Sequence, residues 1–493
     1  RTTDRMPRLR ASTEALAGSA NGKAEAVMVN VRETGIVAVP FSELVTRFGK
    51  PLANISNSAE KGSISVKTGG KTVAWTSTAD ALLFFGEKSD SIYSNDRVYR
   101  IELTKGERMA DVAVGGSAGS VSSFNGKAEA ETDAFPGAVL PLDPESDYWF
   151  WDYIVSGDAS VGRKTFTVAA PDVASASGAT LEVRLQGALA GAEHTARVKV
   201  NGVPVGELNW SDLNAKTSTI TLPGGVLQDG ANDVEIEGVL APAASFDVFY
   251  IDGFTVRYSR LARPVNGALE AKISSAINAG PFNGTPMLLD ISNRLRPKVL
   301  NGGSFNAGTL SAALPSGTNT VFAAEQFVAP ASYRSVSWPA LKFQKPDYIV
   351  IAPTAMRSGA DALASLRQGQ GLRTTVVDLQ QIYDEYSDGN TTPHAIREFI
   401  AAALQQSRPK YVVLAGAGTF DYRGIQQAPG PVPPMMVKTN SGLFASDSKM
   451  ADANEDGVPD LAIGRIPVSN NDALLAYVDK LRDHTASASD NPI

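Results

Sequence analysis

From Lys345 onward the chain alternates short apolar runs with segments of helical period, which commits this part to helices packed on a parallel sheet. Tyr348–Ala352 is apolar throughout, as a strand buried on both faces must be. Residues 361–368 read as a helix with Ala362, Leu363 and Leu366 on one side. A second strand is expected at 374–377. Thr392 as N-cap and Pro393 at the first helical position start a long helix to about Gln406. Its apolar stripe is Ile396, Phe399, Ile400 and Leu404. Tyr411–Ala415 and 461–466 supply two more strands. A last helix over 471–484 turns Leu474, Leu475, Val478 and Leu481 inward, with His484 placed to suit the helix dipole.

Just before the fourth strand lies a carboxylate-rich loop, Asp452-x-Asn454-x-Asp456-Gly457-Val458-x-Asp460. Side-chain oxygens fall at positions 1, 3, 5 and 9, with Gly at 6 and the Val458 carbonyl at 7. This matches the first nine positions of an EF-hand-type calcium loop. Gly457 permits the sharp turn. Position 12, where a bidentate Glu belongs, is Ile463, so a further ligand has to come from elsewhere, with Asp447 and Asp421 as candidates. Clustered carboxylates repel unless a cation or solvent screens them, so the expectation is calcium and the bland alternative a solvated acidic turn.

The run SD-x4-D-x-N-x-DG-x-PDLAIGRIPV, at 446–468, resembles the segment closing the first half of the catalytic region in gingipain-like cysteine peptidases, family C25. Further matches precede it in order: DYIVIA at 347–352, GLRTTVVD at 371–378, QIYDEY at 381–386, PHAIREF at 393–399, KYVVLAG at 410–416 and TFDYR at 419–423. Together they span roughly 345–483. The resemblance implies a caspase- or flavodoxin-like parallel α/β domain. It also implies a peptidase whose His base and Cys nucleophile sit on a second α/β half, expected downstream of Ile493. The chain itself has no Cys. Family members often carry Gly-Asp-Gly where this chain has Gly416-Ala417-Gly418, which removes a polar group from that turn.

The rest of the chain reads as β structure, giving a multidomain β plus α/β class. Residues 1–140 are expected to form an N-terminal β domain, polar at its start, with strands near 27–31, 35–39, 62–67, 71–75, 81–85 and 97–103. Ser42 should cap a short helix over 42–48. A Gly/Ser-rich link follows at 114–127, and its Gly115-x-Ser117-x-Gly119 lacks the strand and helix that a nucleophile elbow needs. Residues 141–260 carry strands at sandwich-like intervals, with Asn201-Gly202 as a hairpin turn. This stretch resembles the jelly-roll module of the same family and also a carbohydrate-binding sandwich. Trp149, Trp151 and Trp210 read as packing residues rather than sugar platforms. Residues 261–344 are a small β bridge, and 345–493 the gingipain-like α/β part.

Composition narrows the function. A net charge of −7 argues against nucleic acid, and no apolar run approaches a membrane span. Without Cys there is neither a disulfide scaffold nor a thiolate metal site. Arg1 in place of Met points to a processed or truncated start, and the polar strands to an exported, extracellular or cell-surface protein. Three dispersed His residues form no metal motif; His194 reads as a turn residue and His394 as an exposed one. Gly416-x-Gly418-x-x-Asp421 lacks the third Gly and the helix of a dinucleotide fingerprint. No catalytic or cofactor residue is therefore assigned. The reading is the N-terminal portion of an exported gingipain-like cysteine endopeptidase acting on proteins or peptides, completed by a C-terminal catalytic half. The alternative is a non-catalytic structural, adhesion or filament protein of that family, holding glycans or further copies of itself.

Overall fold

A computed structural model describes residues 24–116, 121–242, 244–337, 341 and 344–489. The chain divides into two compact units. The first is made of Arg1–Arg108, Val328–Val437 and Phe444–Ile493, the second of Met109–Phe327 and Lys438–Leu443.

In the first unit the N-terminal segment forms an antiparallel sheet in the order Ser332–Val336, Ala26–Val31, Arg97–Glu102, Ser65–Thr68, Lys71–Val73. A second, three-stranded sheet joins Gly35–Pro40, Ala81–Gly86 and Trp75–Ser77. The helix Phe41–Phe48 begins directly after Pro40, so Ser42 lies inside its first turn and is not its cap. Phe41, Leu44 and Phe48 face the core, and Gly49, at φ 62°, ends the helix in the left-handed region. A further helix, Leu52–Glu60, is too polar to stand out as a periodic pattern; it buries only Ile55 and Ala59.

The same unit contains the α/β part. Its parallel strands are β1 (Tyr348–Ala352), β2 (Thr374–Asp378), β3 (Tyr411–Ala415) and β4 (Ala462–Ile466), in the spatial order β2-β1-β3-β4. Helices α1 (Arg357–Gly369) and α4 (Asn471–Ser489) cover one face. Helices α2 (Leu379–Tyr386) and α3 (Pro393–Gln406) cover the other. Close approach of α1 and α4 depends on Gly359, where a Cβ would stand 2.8 Å from Leu474. Thr392 caps α3 by accepting the His394 N–H, as the sequence indicates. Helix α2 joins the α/β part to the N-terminal sheet within this unit. Arg334 grips the buried Asp384 with two bonds of 2.8 and 2.5 Å, and Arg100 donates to the Asp384 carbonyl at 2.9 Å.

The second unit holds the β-sandwich. One sheet runs Asp152–Val155, Val248–Leu261, Val173–Gly187, Ala215–Thr221, and the other Arg163–Ala170, Gly230–Gly238, Glu193–Val200, Val203–Ser211. Asn201 and Gly202, at φ 50° and 80°, turn the hairpin that pairs Val200 with Val203. Trp149 and Trp210 are buried, and Trp151 packs on Phe166 and Phe254. The expected link at 114–127 is in part a strand. Ser123–Ala130 adds to the first sandwich sheet beside Val248–Leu261, and Ser117 with the rest of its motif through Gly119 lies outside the described residues. A neighbouring core in this unit is built by two sheets from 268–324, joined by Ala110–Ala113 in parallel with Lys298–Asn301.

Candidate functional site

Ligands of open parallel sheets bind at the carboxyl ends of the strands, beside the switch in strand order. Here that switch lies between β1 and β3. The groups gathered there are mostly engaged with one another. Asp378, at the end of β2, caps α2 through Gln380 N–H at 2.8 Å and accepts the Thr354 hydroxyl at 2.7 Å. Arg465, at the end of β4, pairs with both Asp447 oxygens at 2.7 and 2.9 Å and donates to the carbonyls of Gly416 and Val432. It therefore staples the loop after β3 to the sheet. Gly416 stands at φ 154°, and a Cβ there would meet Val432 Cγ2 at 2.7 Å.

Asp421 is wholly buried and accepts the N–H groups of Ile425, Gln426 and Gln427 at 2.7–2.9 Å. Burial opposes its ionised form, but the backbone donors outweigh this and hold the carboxyl below its ordinary range. Both Asp421 and Asp447 are thus committed to structural partners, which leaves neither well placed to complete a calcium shell at the acidic loop. Tyr383 of α2 is the contrary case. Its hydroxyl is buried with no hydrogen-bond partner among the described residues, and burial pushes the phenol far above its usual value against the opposing charge of Arg465.

The acidic loop feeds the amino end of β4. It curls about its first carboxylate: Asp452 accepts the N–H of Asp456 at 3.1 Å and of Gly457 at 2.9 Å. Asn454 also accepts the Asp456 N–H, Asp456 accepts that of Val458, and Asp460 accepts that of Ala453. Glu455 at φ 64° and Gly457 at φ 90° make the turn, and Arg397 of α3 holds Glu455 at 2.6 Å. Ile463, at loop position 12, packs against the apolar core and offers no oxygen.

The histidines differ from their sequence-based placement. His394 is half-buried, with Nε2 3.3 Å from the Tyr93 hydroxyl. His484 is exposed, and α4 runs on past it to Ser489. His194, expected in a turn, is buried within the strand Glu193–Val200. Its Nδ1 lies 2.6 Å from Asp247 and its Nε2 2.8 Å from the Asp212 carbonyl. Ser156 donates to the other Asp247 oxygen at 2.8 Å. This Ser-Asp-His relay has the carboxylate in the middle. A nucleophile needs its base within reach, and here both ring nitrogens are occupied elsewhere, so the arrangement is structural. Sequence inspection also missed Glu131, Asp133 and Asp147, whose carboxylate oxygens lie within 4.8 Å of one another although Asp147 is distant from the other two in sequence. Arg184 already neutralises Glu131 at 2.8 Å.

Comparison with known proteins bears on the same region. The model of peptidase family C25 matches residues 341–492. The crystal structure of dimeric latent PorU from Porphyromonas gingivalis is similar over 93% of this chain, with TM-score 0.68 and 15% identity. This chain spans 49% of that PorU chain. A carbohydrate-binding module of family CBM36, solved with calcium and xylotriose, is 17% identical over 21% of this chain and 76% of its own, with TM-score 0.16. A cycloalternan-forming enzyme from Listeria monocytogenes is 16% identical over 48% of this chain and 20% of its own, with TM-score 0.18. At such scores neither bears on the fold. No curated protein matches the chain. The α/β region at 341–492 thus matches peptidase family C25, in a chain with the multidomain fold of PorU.

Proposed function

We propose that this chain is the N-terminal portion of an exported gingipain-like cysteine endopeptidase, whose His and Cys come from residues outside these 493. The observation that carries the reading is a family C25 segment in a sequence without a single Cys. A thiolate nucleophile activated by His then has to be supplied by a second α/β half. The present α/β part buttresses that half, and its engaged carboxyl-edge groups suit a supporting role. No helix among the described residues is long and apolar enough to cross a membrane. The test is the intact mass and full sequence of the native protein, with labelling by a thiol-directed peptidyl probe. A labelled Cys on a downstream α/β half supports the reading. A native protein without such a residue overturns it and favours the second reading, a non-catalytic extracellular structural or adhesion protein, which the lack of Cys also accommodates.

The acidic loop is assigned to calcium on the same terms. Asp452, Asn454, Asp456, the Val458 carbonyl and Asp460 are all oxygen donors, which suits a hard cation, and the turn at Gly457 already curls them about Asp452. With Ile463 apolar, solvent completes the shell. Bound ion would tie the loop before β4 to the sheet. A cation held at a hundred times its Kd adds about 2.7 kcal/mol to the folded state. Chelation should therefore lower the melting temperature of the parent and leave Asp456→Ala unchanged; identical melting of both, with and without chelator, removes the assignment.

A further inference from the structure

A cavity of about 320 Å³ opens in the first unit, where the loop after β3 and the start of α2 face the segment 93–96 of the N-terminal part. Its charged lining is two arginines against one carboxylate. The Tyr383 hydroxyl is buried and has no partner among the described residues, a costly state unless an acceptor fills it. The Thr419 oxygen already accepts from Asp421 N–H at 3.1 Å and from Gln427 Nε2 at 2.7 Å, which leaves its hydrogen to be donated. Arg32 and Arg423 line the cavity with Asp96, which Arg32 pairs. Flat apolar walls come from Tyr93 and Tyr422, whose rings meet edge-on at 4.8 Å, and from Pro431.

Donors in excess of acceptors call for an acceptor-only ligand, and planar walls call for a flat or compact residue beside it. The volume admits one or two amino-acid residues and excludes a folded partner. We propose that this cavity binds a peptide carboxylate, presented with an aromatic or prolyl neighbour, as a recognition subsite apart from the scissile bond. The choice of a peptide rests on the peptidase reading; the choice of a carboxylate rests on the cavity alone. The carboxylate has two sources, the C-terminus of a peptide and an acidic side group within one.

The experiment is calorimetric titration of the full-length protein with three N-acetylated tripeptides: Ala-Pro-Phe as the free acid, Ala-Pro-Phe amide, and Ala-Pro-Glu amide. Tighter binding of the free acid than of its amide, by about tenfold, supports capture of a C-terminus. The same preference for Ala-Pro-Glu amide supports capture of an acidic side group. Equal affinity of all three, or none, overturns the proposal. Tyr383→Phe keeps the ring and removes the donor, so it should melt like the parent and lose about tenfold in carboxylate affinity only. Arg32→Gln, at an exposed position, should weaken the same peptide without altering the fold. Carboxylate binding in a native protein that shows no peptidase activity leaves the cavity assignment standing and removes the peptidase reading. Activity without carboxylate preference does the reverse.

Discussion

Replacing His194 tests the physical reasoning most directly. Both ring nitrogens face acceptors, the Asp247 carboxylate at 2.6 Å and the Asp212 carbonyl at 2.8 Å. Only the doubly protonated imidazolium donates to both. Burial disfavours that charge, but the bonds to Asp247 and Asp212 outweigh it, and the pKa is raised from its ordinary value. Since the folded pKa exceeds the unfolded one, the stabilisation is fully present below about pH 6.5 and is lost as pH rises through the folded pKa. His194→Ala leaves Asp247 buried, with Ser156 as its remaining side-chain donor, and breaking one side of such a pair costs about 3–5 kcal/mol. For a unit of this size that is a fall of about 6–20 °C in melting temperature. The assay is thermal unfolding from pH 5 to 9, followed by tryptophan fluorescence, since the Trp210 ring lies 4.9 Å from His194. The gap between parent and variant should be widest at pH 5–6 and narrow as pH rises. A parent whose melting temperature matches that of His194→Ala at pH 6, or a gap that widens toward pH 9, would refute a charged pair.

Two further perturbations probe the sheet's carboxyl edge. Gly416→Ala forces a side chain onto φ 154° and against Val432, and should destabilise the first unit by about 1–3 kcal/mol, read by chemical denaturation at constant m-value. Asp421→Asn places an amide donor among three N–H groups and should cost about 1–3 kcal/mol at pH 7. Because the folded pKa of Asp421 is lowered, its contribution is present above the unfolded pKa and lost as pH falls through the folded one, so the two proteins should converge in acid.

Helix α3 was legible because its start is local: Thr392 and Pro393 set backbone conformation within one turn, and the structure begins the helix there. The same holds for the Asn201-Gly202 hairpin and for β1, where turn chemistry and an unbroken apolar run need no distant partner. Strand Ser123–Ala130 was not legible, since its inward side, Phe124, Gly126, Ala128 and Ala130, is made mostly of small residues and only Gly126 is fully buried. The helix Leu52–Glu60 was missed for a like reason.

Sequence alone determined the four parallel strands and helices α1, α3 and α4 between 345 and 489, the motifs that match family C25, the acidic loop's donor spacing and the lack of any Cys. Each of these is written in neighbouring residues or in composition, whereas helix α2 and the strands Met436–Thr439 and Gly442–Ala445 emerged only in the structure. The tertiary structure decided which strands pair and which side chains are left buried. Ala26–Val31 finds Ser332–Val336 some three hundred residues away, His194 becomes a core residue bonded to Asp247, and Tyr383 is left with its hydroxyl unmatched among the described residues. Such outcomes follow from burial and from contacts between residues far apart in the sequence, where dielectric and hydrogen-bond supply are set by the whole fold and not by any local pattern.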